Sequence, residues 1–254
     1  MRLNEIIGKT ETLTADTADK LLKSIKNGRF TKDGSKLKVA GSFYCIDDKL
    51  TSLEGAPSSV SGNFYCNDNR LTNLEGAPSS VGGTFSCHNN ELTSLKGAPA
   101  SISVSFYCHN NELTSLKGAP SSVGVTFSCA GNTLTSLEGA PASVGGSFYC
   151  HYNKLTSLEG APSSVRGNFD CNDNNLTSLS NIHKYIKEVR GYMNFEDNPI
   201  KSSVLGLVKI KGLTQVMFDD KKLEKIMNKY LPLGNISDCQ EELIGAGLEA
   251  YARL

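Results

Sequence analysis

From Val39 to Asn175 the apolar and polar positions of this chain follow one repeating order, V-x-G-x-F-x-C-x-x-N-x-L-T-S-L-x-G-A-P-S-S, with a period of 21 residues. Cysteine returns at Cys45, Cys66, Cys87, Cys108, Cys129, Cys150 and Cys171 without a slip, and G-A-P returns six times, from Gly55-Ala56-Pro57 to Gly160-Ala161-Pro162. A fixed period of about 20–29 residues that carries leucines and one asparagine marks a solenoid, whose units bury their apolar sides only against one another.

Inside a unit, V-x-G-x-F-x-C alternates with a period of two, which predicts a strand with Phe and Cys on one face. Three places after Cys comes Asn69, Asn90, Asn111, Asn132, Asn153 or Asn174, with Asp48 in the first unit. A polar side chain buried once per turn needs hydrogen bonds, most simply to the backbone of the adjacent turn, so these residues form a structural ladder beside Cys66, Cys87, Cys108, Cys129 and Cys150. Leu50 and Leu53, with their equivalents up to Leu176 and Leu179, turn the chain and extend the core. Gly and Pro exclude a regular helix from G-A-P-S-S, which predicts an extended or 3₁₀-like return. Val, Phe, Cys, two Leu and Ala therefore face inward. The expected fold is an α/β repeat solenoid of about eight parallel strands, a curved sheet with a concave open face, short non-helical returns and helical caps at both ends.

The pattern loosens after Leu179. Val189, Met193, Phe195 and Asn198 fit the template again as an eighth, degenerate unit, with a more helix-like return over Asn181–Glu188. Leu213–Phe218 reads as a last strand. Asp219 or Asp220 is placed to cap a helix bearing Leu223, Ile226, Met227 and Tyr230, which Pro232 and Gly234 end. Ser237-Asp238-Cys239-Gln240 reads as a capping box for a final helix with Leu243, Ile244, Gly247, Leu248 and Tyr251. A helix is also expected over Asp16–Lys26. The organisation is then an N-terminal helical cap over 1–38, leucine-rich repeats over 39–200 and a C-terminal helical cap over 201–254.

F-x-C-x-x-N-x-L matches the L-x-L-x-x-N-x-L core of leucine-rich repeats, with Phe and Cys in place of leucines, and the chain resembles that family. L-T-S-L-x-x-x-P is similar to the short bacterial subclass found in secreted effector ligases, although Val here lies nine residues before Asn rather than eight. F-Y-C-x-x-N-x-L-T-S-L-E-G-A-P also resembles uncharacterised repeat proteins of tailed bacteriophages, strongly over 39–200 and again in the C-terminal segment. The ligase resemblance implies no activity here, because the segment from residue 201 is too short for that helical catalytic domain. The phage resemblance implies a protein at work in a host cytoplasm.

Composition narrows the function further. Lys plus Arg and Asp plus Glu are 26 each, so neither the basic surplus of a nucleic-acid binder nor the acidic surplus of a nucleic-acid mimic is present. No apolar run reaches the ~18 residues of a membrane span. The opening Met1-Arg2-Leu3-Asn4-Glu5-Ile6-Ile7 has no apolar h-region, which speaks against secretion. Seven cysteines in one inward column read as reduced, buried thiols in a reducing cytoplasm.

Candidate chemistry lies on the residues that point away from the core. Between Phe and Cys stand Tyr44, Tyr65, Ser86, Tyr107, Ser128, Tyr149 and Asp170. After Cys come Ile46, Asn67, His88, His109, Ala130, His151 and Asn172, then Asp47, Asp68, Asn89, Asn110, Gly131, Tyr152 and Asp173. These columns vary while the inward ones hold nearly constant. Tyrosines on a rigid sheet are effective contact residues. The expected function is non-enzymatic protein binding through Tyr44, Tyr65, Tyr107, Tyr149, His88, His109, His151, Asp68 and Asp170, with no cofactor, no nucleic acid, no membrane, and a monomer or weakly self-associating chain. One alternative is a structural or assembly component of a virion or complex. Another is a small-molecule or metal site at the His and Tyr columns, where His88 and His109 share Asp68 or Asn89 as neighbours; a zinc site needs three or four such ligands. No Ser-His-Asp set, phosphate loop or paired-cysteine motif occurs, and Cys239 at a helix start reads as a cap residue rather than a nucleophile.

Overall fold

Each 21-residue unit makes one turn of a parallel β-solenoid, and the turns stack in strict register. The computed structural model describes residues 29–33 and 36–254. One ladder is a nine-stranded sheet made of the pairs Phe43–Tyr44 to Phe169–Asp170, then Tyr192–Asn194 and Gln215–Met217. Like sits beside like: Phe127 pairs with Phe106 and Phe148. A second ladder joins the Ser-Val pairs of successive turns, such as Ser143–Val144 with Ser122–Val123 and Ser164–Val165. At the N-terminal end of this second ladder, Lys36–Ala40 pairs in parallel with Ser59–Val60 and antiparallel with Arg29–Asp33. The helix expected over Asp16–Lys26 lies outside the described residues.

The single strand expected over V-x-G-x-F-x-C is in fact two short strands that meet at a corner. Bends occupy the two residues after Val, as at Ser61 and Gly62. The glycine explains why the corner stacks. A Cβ on Gly62 would lie 2.8 Å from the backbone of Gly41, one turn earlier. Turns that carry Val104 and Val125 at this position leave those side chains exposed, and the second ladder is interrupted between Val81 and Ile102. The G-A-P return is non-helical as expected, its Gly at φ between 82 and 94° and its Ala N–H donating to the preceding Leu carbonyl, as from Ala119 to Leu116. Proline joins the interior there, as Pro57 does, while the Ala beside it is only half-buried.

Phe is the largest inward residue, and each ring from Phe43 to Phe169 lies over the next with centroids 5.1–5.6 Å apart. Such contacts add about 0.5–1.5 kcal/mol each beyond burial. Beside them the asparagines form the expected ladder. Asn111 shares its amide hydrogens among the carbonyls of Cys87, Cys108 and His109 at 3.1–3.2 Å, while its Oδ1 accepts from Leu92 N at 3.0 Å. Asn198 makes the same set with Cys171, Phe195, Glu196 and Leu176, so the degenerate eighth unit is a true turn. All eight cysteines are buried free thiols. Burial pushes the Cys45 thiol up to about 12, and the Sγ of Cys108 donates to Ser128 O at 3.3 Å.

Beyond residue 200 the solenoid continues for one more strand, which makes nine where about eight are expected. Phe218 stacks on Phe195 at 5.3 Å, and a 3₁₀ turn at Leu205–Lys209 buries Leu205, Leu207 and Val208 in the core. The eighth return contains a one-turn helix, α1, at Ile182–Tyr185. Helix α2, Lys221–Tyr230, is capped by Asp220 and buries Leu223, Ile226, Met227 and Tyr230, all as the spacing predicts. Asn228 on α2 both accepts from Val216 N and donates to Val216 O, at 2.7 and 2.9 Å, in the manner of a neighbouring strand. That contact occupies the free edge of the last strand, where an unpaired ladder otherwise invites association. Helix α3, Ile236–Gly245, starts earlier than the predicted capping box because Asn235 is its N-cap and accepts from Asp238 N. Cys239 thus lies within the helix, fully buried against Met227 with Sγ–Sδ 3.9 Å, and burial pushes its thiol up to about 11. Ile244, expected on the inner face, is exposed.

Replacing Asn111 by Ala strands the buried Leu92 N–H, while the Cys87 and Cys108 carbonyls keep the amides of Asn90 and Asn132, and is expected to cost about 1–3 kcal/mol in a urea titration. The exposed Thr114→Ala should change the same midpoint by less than about 0.5 kcal/mol. Deleting residues 118–138, one unit in phase, should leave a shorter solenoid that still unfolds cooperatively by circular dichroism.

Candidate partner-binding face

Alternation in the nine-stranded sheet sends Phe and Cys inward and Tyr44, Tyr65, Tyr107, Tyr149 and Asp170 outward, where all five are half-buried. Their rings and neighbours lie along the sheet. Tyr44 stacks on Tyr65 at 5.1 Å, His88 on His109 at 4.4 Å, and Tyr107 meets His109 edge-on at 6.0 Å. Tyr149 and Tyr152 flank His151 edge-on, at 6.1 and 5.4 Å. The small residues of these columns, Ser86, Ser128 and Ala130, are buried, so the open surface consists of the larger side chains around them. Asn67, in the histidine column, is buried too.

The third column differs from its reading as a strand. Asp47, Asp68, Asn89, Asn110, Tyr152 and Asp173 all have φ between 50 and 58°, so the chain leaves the sheet there in a left-handed turn. Asp and Asn tolerate this conformation best among residues with a side chain, and Gly131 takes it freely. Asn89 donates to Asp68 at 2.7 Å and Asn110 to Asn89 at 2.9 Å, a side-chain chain along the rim of the face. Gly131 ends it, since a Cβ there would lie 2.4 Å from the Asn110 Oδ1. Asp68 is on this rim rather than among the tyrosines, and the hydrogen bonds from Asn89 and Asn67 hold its carboxyl below the usual range.

Burial also sets the charge of the histidines. It lowers His88, against the opposing pull of Asp68, and the Ser86 hydroxyl lies 2.7 Å from the His88 Nδ1. Burial, then His88 and His151, take His109 down to about 4. The Nδ1 atoms of His109 and His151 are buried without a hydrogen-bond partner. Asp170, by contrast, is raised by burial; its carboxylate accepts from Asn172 N at 3.3 Å and stands 3.9 Å from the His151 Nδ1.

Two further residues belong to the face. Tyr192 and Asn194 flank the inward Met193 and continue it past Asp170, with Asn194 directly beside Asp170 in the sheet. The signal was available, since alternation also turns outward the residue before each inward Phe or Met. Among the described residues, no group of three or more His, Cys, Asp and Glu side chains converges where a metal ion would sit. No helix among them is long and apolar enough to cross a membrane.

The depressed His109 makes a pH prediction. An unfolded histidine titrates near 6.5, so the folded chain binds this proton more weakly and its stability is complete above that pH. It is lost as pH falls from about 6.5 towards 4. Relative to His109→Gln, the parent chain should lose stability over that window in urea titrations, and the His109 ring should titrate well below 6.5 by NMR. Compared with known proteins, the chain matches no family model, and no curated protein matches it.

Proposed function

We propose that this chain is a non-enzymatic protein-binding module of the leucine-rich-repeat type, closed by helical caps, which seats a partner on the outward face of its nine-stranded sheet. The observation that carries the reading is a contrast within each turn. Phe, Cys and Asn are held nearly constant on the inside, while the outward positions change from turn to turn and gather tyrosine and histidine. Half-buried rings on a backbone ordered by two ladders lose little freedom on binding, which favours affinity from few contacts. The phage-like wording of the repeats supports a phage protein that acts on a host factor in the host cytoplasm.

A second reading, an assembly component that associates through its ends, draws support from the exposed Leu233, Ile244 and Leu254 in the C-terminal segment. Sedimentation separates the two, since an assembly part self-associates with rising concentration while a binder stays monomeric. The direct test is affinity capture from host lysate with the parent chain and with Tyr65, Tyr107 and Tyr149 all changed to Ala. A protein retained by the parent and lost by the folded triple variant is the expected result. Equal capture by both would overturn the sheet-face reading.

A further inference from the structure

The chain is neutral as a whole, yet its sheet face is not. Four positions per turn border that face: the residue before the inward Phe, the one between Phe and Cys, and the two after Cys. From Ser42 to Asp197 not one of them is Lys or Arg, while Asp47, Asp68, Asp170, Asp173, Glu196 and Asp197 all fall there. The cations lie elsewhere, as with Lys96 and Lys117, which pair with Glu75 and Glu138 on the returns. Of the six carboxylates Glu196 is matched by Lys221 at 2.9 Å. Asp170 is the one set within the sheet itself. Its side chain is 15% exposed, and its nearest basic group is the His151 ring at 3.9 Å. Neither lysine nor arginine is among the groups that act on its charge. Tyr149 lies directly beside it in the sheet, and Tyr192 is near enough that Asp170 and Tyr149, after burial, help to raise its hydroxyl.

Asp170 has Tyr149 on one side in the sheet and Asn194, whose side chain hydrogen-bonds it, on the other; such a half-buried carboxylate beside an aromatic ring, with no lysine or arginine of its own, is complementary to a flat cation. We propose that Asp170, beside Tyr149 and within reach of Tyr192, receives an arginine side chain of the protein partner. This rests on the protein-binding reading above and adds the chemistry of its central contact. Guanidinium offers paired N–H groups to a carboxylate and lies flat over a tyrosine ring, which a lysine ammonium does not do. The surrounding carboxylates would draw a basic partner segment onto the face, an attraction that salt weakens.

The test uses the full chain and N-acetyl-arginine methylamide, followed by ¹H–¹⁵N NMR, with the citrulline and lysine analogues as controls. Expected are saturable shifts of the Asp170, Asn172 and Tyr192 amides with the arginine probe, none with the neutral citrulline probe, and at least threefold weaker binding of lysine. Asp170→Asn keeps the shape of the side chain and should abolish the saturable shifts, while Thr114→Ala, exposed and outside the sheet face, should leave them unchanged. Equal shifts with citrulline, or undiminished arginine binding by a folded Asp170→Asn, would overturn the proposal. The probe needs no partner. A negative result beside successful face-dependent capture sinks the arginine contact alone, and arginine binding without any face-dependent capture sinks its assignment to a protein.

Discussion

Everything in this solenoid depends on one hydrogen-bonded side chain per turn. The amide of Asn111 reaches the carbonyl of Cys87 in the turn before and the carbonyls of Cys108 and His109 in its own, while its oxygen takes the Leu92 N–H. A buried amide left without these partners costs about 1–3 kcal/mol per stranded group. A slip of one residue between turns would strand every one of them together and turn the Phe column outward. Register is therefore held at each turn separately, and the Phe stack and thiol column follow from it.

That rigidity has a consequence for the face. Strands of two or three residues are too short to be stable alone, but the ladder joins nine of them in one sheet. The outward residues inherit its order. Tyr44 and Tyr65 lie ring on ring, and Ser86 and Ser128 are buried between larger neighbours, so a surface with little regular secondary structure per turn is still preorganised. Variation is tolerated only where a side chain leaves the interior, and for this reason the same columns that vary are the ones free to recognise something.

The ends obey a different constraint. Inside the array each turn satisfies its neighbour, but the last strand has no successor. Asn228 of α2 supplies the missing donor and acceptor to Val216, and Glu224 accepts from Phe218 N at 2.9 Å. Helix α3 packs on α2 through Cys239 and Met227, and Tyr251 returns to donate to the Ile200 carbonyl at 3.1 Å. These residues have no repeat to betray their role. Asp220 and the buried stripe of α2 were legible because capping and amphipathic spacing are local, whereas the pairing of Asn228 with a strand twelve residues earlier is not.

The sequence by itself determined the solenoid, its period, the inward Phe, Cys, Leu and Asn columns, and the outward set that includes Tyr107, Tyr149, His151 and Asp170. It could do so because one unit repeated in register turns a problem of tertiary contacts into one of nearest neighbours. Tertiary structure alone decided the corner after each Val, where glycine sits against the previous turn, and the left-handed rim at Asp68, Asn89 and Asn110. It alone decided that Ser86 and Asn67 are covered, and that Asp170 stands between Tyr149 and Asn194 in the sheet, near Tyr192, with no lysine or arginine acting on it. Those features depend on how far apart backbones and side chains of different turns come to lie, and the order of residues along a single unit does not contain that distance.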